Sequence, residues 1–215
     1  MTPILVDNGK SPDEPYNACL GFWLPPNTPY GNFQLKLIKL CECLDEANRK
    51  LIESYSLWKE ARTGGLLVNA LVRHVYANEQ AVYLLRRAAD DMIALIWCLS
   101  DWEIKGVYPQ QIAIDCIGAA LKQPVERLLP LCIEHIEVLK ALNEIANAFK
   151  HSFVHSDITV IGRDEPRVHA LSLDHNKLVS GIRFHDISLA WLVKEFSSFY
   201  QAGMNWLRAF SERHR

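Results

Sequence analysis

The chain of 215 residues lacks the features that would indicate secretion or membrane insertion. Its first residues, Met1 to Lys10, contain no basic run followed by an apolar core, so a secretory signal is not expected. The longest apolar stretch, Met92 to Leu99, is far too short to span a bilayer. The formal net charge of −2 excludes a positive field that would draw the whole molecule to nucleic acid or anionic lipid. We therefore predict a cytoplasmic protein with no membrane partner.

Familiar catalytic and metal-binding signatures are also missing. The sequence has no glycine-rich phosphate loop, no His-Glu-x-x-His and no nucleophile-elbow serine. It has 6 cysteines but no Cys-x-x-Cys pair, and five of them fall in predicted helices where small apolar residues are typical. We therefore predict no metal site and no cofactor, and the free cysteines favour a reducing compartment.

Apolar residues recur at intervals of three and four through most of the chain, which predicts amphipathic helices. The expected fold is mainly α: an up-down bundle of four long helices plus a short helix. The predicted helices run from about Asn32 to Arg62, from about Leu66 to Glu103, from Pro109 to Lys122 and from Pro124 to about Phe153. A further helix, the last in the chain, follows the β insert; Asp186 or Ser188 can cap it, and its apolar seam runs from Leu189 to Phe210.

Two segments depart from this period. Residues 1–30 contain six prolines and are predicted to form an extended arm, anchored to the bundle by Phe22, Trp23 and Leu24. Residues 31–215 are predicted to be a single helical-bundle domain with a β insert at about 157–186. The insert is a hairpin or three-stranded unit, with strands at 158–161, Val168 to Leu173 and Leu178 to Phe184.

The end of the fourth predicted helix carries an unusual concentration of amide and imidazole groups. Asn143, Asn147, His151 and His155 are spaced by four and so form one polar stripe while the helix persists. Lys150 lies beside it. Imidazole exchanges protons near neutral pH, and lysine can hold a phosphate oxygen or stabilise a developing negative charge.

This segment resembles the signature of HEPN domains, which are small helical bundles. Their motif is an arginine, four to six residues, and a histidine, often with a polar residue directly after the arginine. Lys150 stands where the arginine would be, His151 is the polar residue and His155 is the terminal histidine. The stretch from Tyr83 to Asp91, which includes Arg87, looks like the helix that packs beside the motif in such bundles.

The resemblance implies two functions. Many HEPN proteins are metal-independent ribonucleases that act as toxins, with the motifs of two protomers meeting at a dimer interface, and others bind nucleotides or partner proteins without catalysis. We expect a non-catalytic protein that binds RNA or a protein partner as a homodimer, with Asn143 and Arg87 as binding residues. The alternative is an endoribonuclease with Lys150, His151, His155 and Asn147 as its catalytic residues.

Two other interpretations of the stripe stay open. Lys150 and His151 lie near a helix C-terminus, where cations interact favourably with exposed carbonyls, so their role could be structural. Alternatively, His151 and His155 have the spacing of a helical metal pair. The residues that could complete such a site are Asp157, His169, His175 and His185.

Two groups of polar residues on the second helix are predicted to be structural. Arg86 and Arg87 precede Asp90 and Asp91 by four residues, a spacing that favours ion pairs. His74 and Asn78 lie on the apolar seam itself, which is typical of buried polar groups that fix helix register.

Overall fold

Six helices and a two-stranded hairpin make up the described parts of the chain in this computed structural model. The structure describes residues 2–9, 21–63, 67–123, 128–151, 164–172 and 182–214. The elements are α1 (Phe33–Arg62), α2 (Leu67–Lys105), α3 (Ile117–Lys122), α4 (Leu129–Glu134), α5 (Ile136–His151), β1 (Arg167–Ser172), β2 (Arg183–Ser188) and α6 (Leu189–Arg213). The mainly helical class and the position of the hairpin before the last helix are as predicted.

The first two helices lie close to their predicted bounds because clear signals mark their ends. Asn32 caps α1, and its side-chain oxygen accepts the Leu35 amide at 3.0 Å. The two helices pack along their length in opposite directions, since Ser54 contacts His74 while Cys43 contacts the Leu84 carbonyl. Their facing seams, with residues such as Leu44 and Leu85 fully buried, form the centre of the core.

The last helix packs beside α2 through its glycine. Gly203 is buried, and a Cβ built there would lie 2.9 Å from Cγ and Sδ of Met92. With the Met92 side chain in this position only a residue without a side chain fits, so glycine lets α6 approach α2 closely. Ser188, rather than Asp186, caps α6 by accepting the Trp191 amide at 3.2 Å.

The region between α2 and α5 differs from the prediction. The third helix is confined to Ile117–Lys122, since residues 109–116 follow a non-helical path that buries Ile114. The predicted long fourth helix is two helices, α4 and α5, which meet at His135. Pro130 lies in the first turn of α4, where its missing N–H costs nothing, so this proline marks the described start of the helix. Residues 124–127 and 152–153 lie outside the described residues.

The first strand of the hairpin lies within one residue of its predicted bounds, whereas the second strand ends at Ser188, beyond the predicted end at Phe184. β1 pairs with β2 in antiparallel register from Arg167 opposite Ser188 to Ser172 opposite Arg183. The second strand continues through His185, which is buried, to Ser188, and the last three residues of the strand are half-buried. The predicted strand at 158–161 lies outside the described residues, as does most of the predicted strand from Leu178 to Phe184.

A buried polar cluster joins α1, α2 and the hairpin. Nδ1 of His74 lies 3.0 Å from the Ser54 carbonyl, which can only accept, so Nδ1 carries the proton. Asn78 Nδ2 then donates to His74 Nε2 at 3.2 Å and to the Arg167 carbonyl at 3.0 Å. Asn78 Oδ1 accepts from the Ser54 hydroxyl. The prediction that His74 and Asn78 are satisfied buried groups is confirmed.

The N-terminal segments pack on the bundle, but not through all the residues predicted. Phe22 and Leu24 are buried, whereas Trp23 is 69% exposed, so its predicted anchoring role is wrong. In an extended segment neighbouring side chains point to opposite sides, and two of these three face the core. Val6 is a further anchor, with its amide donating to Asn48 Oδ1 at 2.8 Å.

Candidate functional site

The predicted polar stripe lies along one edge of α5. The helix buries Leu139, Leu142 and Ala146 toward the core, which places Asn143 and Asn147 at the boundary with solvent, half-buried. Lys150 and His151 are exposed in its last turn. His155 lies outside the described residues, so its position relative to Lys150 stays a prediction.

Arg86 of α2 brings the stripe into contact with a second helix. Its Nη1 donates to Asn147 Oδ1 at 2.8 Å, and Asn147 Nδ2 lies 3.5 Å from Asn143 Oδ1. Arg86 Nε also lies 3.7 Å from Asp90 Oδ2, the predicted i,i+4 pair. The guanidinium therefore links its own helix to the amides of α5.

Asp90 extends the network to a third helix. Its Oδ1 accepts the Ile117 amide at the start of α3, at 2.7 Å. Burial raises the pKa of Asp90, while the Ile117 amide and Arg86 oppose that rise. Asp90 and Arg86 thus hold α2, α3 and α5 together around one polar cluster.

An open recess lies beside this cluster, with a volume of about 560 Å³. The polar side chains that line it are Arg86, Cys116, Lys122, Gln123, Asn143 and Asn147. Two are cations, three carry amides, and none of the described lining residues is a carboxylate. Hydrogen-bond donors and positive charge dominate this surface, which suits phosphate or carboxylate oxygens.

Arg87, the predicted binding residue, lies apart from the stripe. Its Nε is 4.0 Å from Asp91 Oδ2 and its side chain is largely exposed beside α1. Successive helical residues differ by about 100° in direction, so Arg86 and Arg87 face different neighbours. The contact of Tyr83 with Phe149, at 6.1 Å between ring centroids, shows that the α5 side of α2 carries Tyr83 and Arg86.

Sequence reasoning therefore missed Arg86 and Lys122 as site residues. One signal was present: Arg86 follows Tyr83 by three residues and precedes Asp90 by four, so the three share one helical face. Nothing in the sequence pairs that face with Asn147, which lies 61 positions away.

The hairpin and α5 form a separate polar contact. Arg183 Nη1 lies 2.7 Å from Glu144 Oε1, and buried His185 lies between Glu144, at 3.9 Å from Nδ1, and the Ser172 hydroxyl, at 3.1 Å from Nε2. Burial lowers the pKa of His185, with Glu144 acting against this and Arg183 adding to it. Ser172 Oγ also lies 3.4 Å from the Arg183 carbonyl, so the hydroxyl serves the strand pairing as well.

The histidines proposed as an alternative metal site are dispersed as far as they are described. His151 lies at the end of α5, while His169 stacks on Phe184 and contacts Asp186 at 3.2 Å. No group of three histidine, cysteine, aspartate or glutamate side chains within the described ranges could hold a metal ion. His155, Asp157 and His175 lie outside those ranges.

Comparison with protein-family models, with curated proteins and with solved structures gives no match. Among the described helices, none is long and apolar enough to cross a membrane. The class of protein is therefore defined by the fold and by the recess alone: a helical protein with a donor-rich surface site.

Proposed function

We propose that the protein binds single-stranded RNA without cleaving it, through the recess between α2, α3 and α5. The observation that carries this proposal is the hydrogen bond from Arg86 to Asn147. It fixes a guanidinium at the back of an open surface, beside the exposed side chains of Lys122 and Gln123.

The charges around the recess support a phosphate ligand. Arg86 and Lys122 line it, and Lys150 lies one turn beyond Asn147 on the same helix surface. Asp90 pairs with Arg86, so these three cations give an excess of two positive charges. On a chain with a net charge of −2 this makes a local site rather than a whole-molecule attraction. Amides of Asn143, Asn147 and Gln123 add donors and acceptors that could contact sugars or base edges.

The proposed relationship to HEPN bundles is part of the same hypothesis. Lys150 and His151, the two described positions that resemble the motif of that family, lie in the last turn of α5. A homodimer would place two recesses on one particle, and we propose that assembly. Sedimentation or light scattering of the purified protein tests it, and a monomer at micromolar concentration would contradict it.

We also propose that the four long helices follow the up-down order that was expected from the sequence. α1 and α2 run in opposite directions, and Arg86 and Tyr83 of α2 meet Asn147 and Phe149 of α5 in reversed order. Met92 and Trp102 of α2 meet Gly203 and Phe210 of α6 in the same order. These contacts support an arrangement in which the chain direction alternates from α1 to α2, to α5 and to α6.

A matched pair of charge reversals tests RNA binding. Anisotropy of a fluorescein-labelled, mixed-sequence RNA of twelve nucleotides is measured with chelator present, for the wild type, Lys150→Glu and Lys140→Glu. Both lysines are exposed on α5, but Lys140 lines the hairpin side. We expect Lys150→Glu to weaken binding about tenfold and Lys140→Glu to have little effect. Equal effects, or no wild-type binding at low salt, would overturn the proposal.

Salt dependence gives a second measure of the same site. With roughly three phosphates neutralised, the logarithm of the binding constant should fall with the logarithm of salt concentration with a slope of about −2 for a single strand. Lys122→Glu should make this slope less steep. A slope near zero in the wild type would show that phosphate contacts do not drive binding.

The ribonuclease alternative depends on the exposed pair at the end of α5. In that mechanism His151 or His155 would take the proton of the attacking ribose hydroxyl, Lys150 would stabilise the charge on the phosphorane, and Asn147 would orient the substrate. Gel analysis of the same RNA decides it, with Lys150→Ala and His155→Ala as variants. Cleavage lost in both variants would replace the binding proposal with the enzyme.

A further inference from the structure

A second pocket lies on the opposite side of α2, between that helix, α1 and the segment that follows α2. Its walls are apolar, and it has a volume of about 270 Å³. The apolar residues that line it are Phe33, Leu40, Ala94, Leu95, Cys98 and Ile112. Burial raises the pKa of Cys98 to about 11, so this thiol is neutral at physiological pH and belongs to the apolar floor.

Aromatic packing fixes the segments that form the pocket. The Tyr30 hydroxyl donates to the Pro109 carbonyl at 2.6 Å, which ties the segment before α1 to the segment after α2. Tyr108 packs edge-on against Phe33 and stacks on Trp102, with 5.9 Å between ring centroids in each pair. A site that is preformed in this way binds without a large ordering cost.

The mouth of the pocket is cationic. Lys36, Lys39 and Arg87 line it together with a single carboxylate, Asp91, which leaves an excess of two positive charges among the lining residues. Arg87 lies 4.0 Å from Asp91, and both Lys36 and Arg87 counteract the effect of burial on the pKa of that carboxylate. Lys36 and Lys39 are exposed and lie one turn apart on α1.

We propose that this pocket binds a small amphipathic anion, with an aliphatic or aromatic body on the apolar floor and a carboxylate or phosphate head between Lys36, Lys39 and Arg87. The volume lies just below the range of roughly 300–1,000 Å³ typical of drug-sized ligands, so a ligand on the order of ten non-hydrogen atoms fits. A fully polar anion would bind poorly because it would not displace water from the apolar walls. An amine would bind poorly because the cations at the mouth repel it.

The pocket is independent of the RNA-binding proposal. It lies on the α1 side of α2, whereas the recess lies on the α5 side, and the two sets of lining residues have no member in common. Loss of one activity therefore leaves the other measurable. The site also gives Arg87, which the RNA site does not use, a function in binding.

Isothermal titration calorimetry with four probes of equal chain length tests the chemistry of the ligand. Octanoate and octyl phosphate carry the two candidate heads, octylamine reverses the charge, and octanol removes it. We expect one site per chain, binding of at least one anion with Kd below about 1 mM, octanol at least tenfold weaker, and no binding of octylamine. Comparison of the two anions distinguishes a carboxylate from a phosphate ligand.

Variants locate the site. Lys36→Glu combined with Lys39→Glu should weaken anion binding at least tenfold, whereas Lys59→Glu, also exposed on α1 but outside the pocket, should not. Ala94→Leu keeps every charge and fills the half-buried position in the pocket wall, so it should abolish binding while circular dichroism and thermal unfolding stay close to wild type. Octylamine binding as tightly as octanoate, or Ala94→Leu and Lys59→Glu having the same effect, would overturn the proposal.

Discussion

Two pairs of histidine and asparagine, each spaced by four residues on a helix, have different environments in this protein. His74 and Asn78 of α2 are 5% and 4% exposed and belong to a closed set of hydrogen bonds with Ser54 and the hairpin. Asn147 and His151 of α5 lie at the edge of an open recess, where Asn147 accepts from Arg86 and His151 is exposed.

The difference shows that spacing alone does not determine the role of such a pair. Inside the protein a polar group must find a protein partner, and the His74 cluster is complete for that reason. At the recess water can replace any lost contact, so the same residue types remain available to a ligand. The first pair stabilises the fold, and the second forms a surface on which binding is proposed.

The largest expected effect comes from truncation in the buried pair. Asn78→Ala removes the partners of His74 Nε2, the Ser54 hydroxyl and the Arg167 carbonyl at once. We expect the free energy of unfolding to fall by about 3 kcal/mol, as for other buried polar groups left without partners. Urea denaturation measures it, with Asn69→Ala, an exposed position of the same helix, as the control. A loss no larger than the control's would contradict the structural role of the cluster.

The second largest effect is expected from acidification, which should lower the free energy of unfolding through the buried histidines. Burial lowers the pKa of His74, His135 and His185 below the ordinary value of 6.5. Just below that value the unfolded chain binds protons that the folded chain does not. Stability is therefore complete above pH 6.5 and falls as the pH falls toward the folded-state values, by up to about 1.4 kcal/mol per pH unit for each such proton.

The slope of stability between pH 8 and 5.5 measures this effect. His74→Gln should flatten the slope, because it removes a buried imidazole with a lowered pKa. If this variant gives the wild-type slope, His74 does not titrate with a lowered pKa.

The smallest effects on stability are expected in the exposed pair. Asn147→Ala should lower the free energy of unfolding by only about 1 kcal/mol, because water can solvate Arg86 after the amide is removed. His151→Ala should change it by less than about 0.5 kcal/mol. Thermal unfolding of both beside Asn78→Ala checks the order. A loss at Asn147 as large as at Asn78 would assign the recess a structural role and would weaken the case for a ligand.

Much of the helical framework could be predicted from local signals. The apolar seam from about Asn32 to Arg62 placed α1, and the same period placed α2 to within two residues at each end. The short α3 and the break at His135 could not be predicted, because the prolines and the apolar spacing in that region fit several different helix boundaries. Burial of Ile114 and the Asp90 contact with Ile117 selected among them.

The candidate site was predicted in part. Asn143, Asn147, Lys150 and His151 do lie along one edge of α5, as their spacing required. Arg87 lies beside α1, away from the recess, so its role in binding stays a prediction, and Arg86 and Lys122 were missed. Arg86 and Arg87 are neighbouring arginines on α2, so only the helix that each one packs against distinguishes their roles.

The sequence by itself determined the helices, their apolar faces and the stripe of polar side chains on α5, because these depend on periodicity and on caps within a few residues. The tertiary structure alone decided that His74 and Asn78 find hydrogen-bond partners in a buried cluster, while Asn147 accepts from Arg86 beside open solvent. It also decided that Arg87 joins two lysines over an apolar pocket. These outcomes depend on contacts between residues far apart in the chain, which form only when burial of the apolar faces brings the helices together.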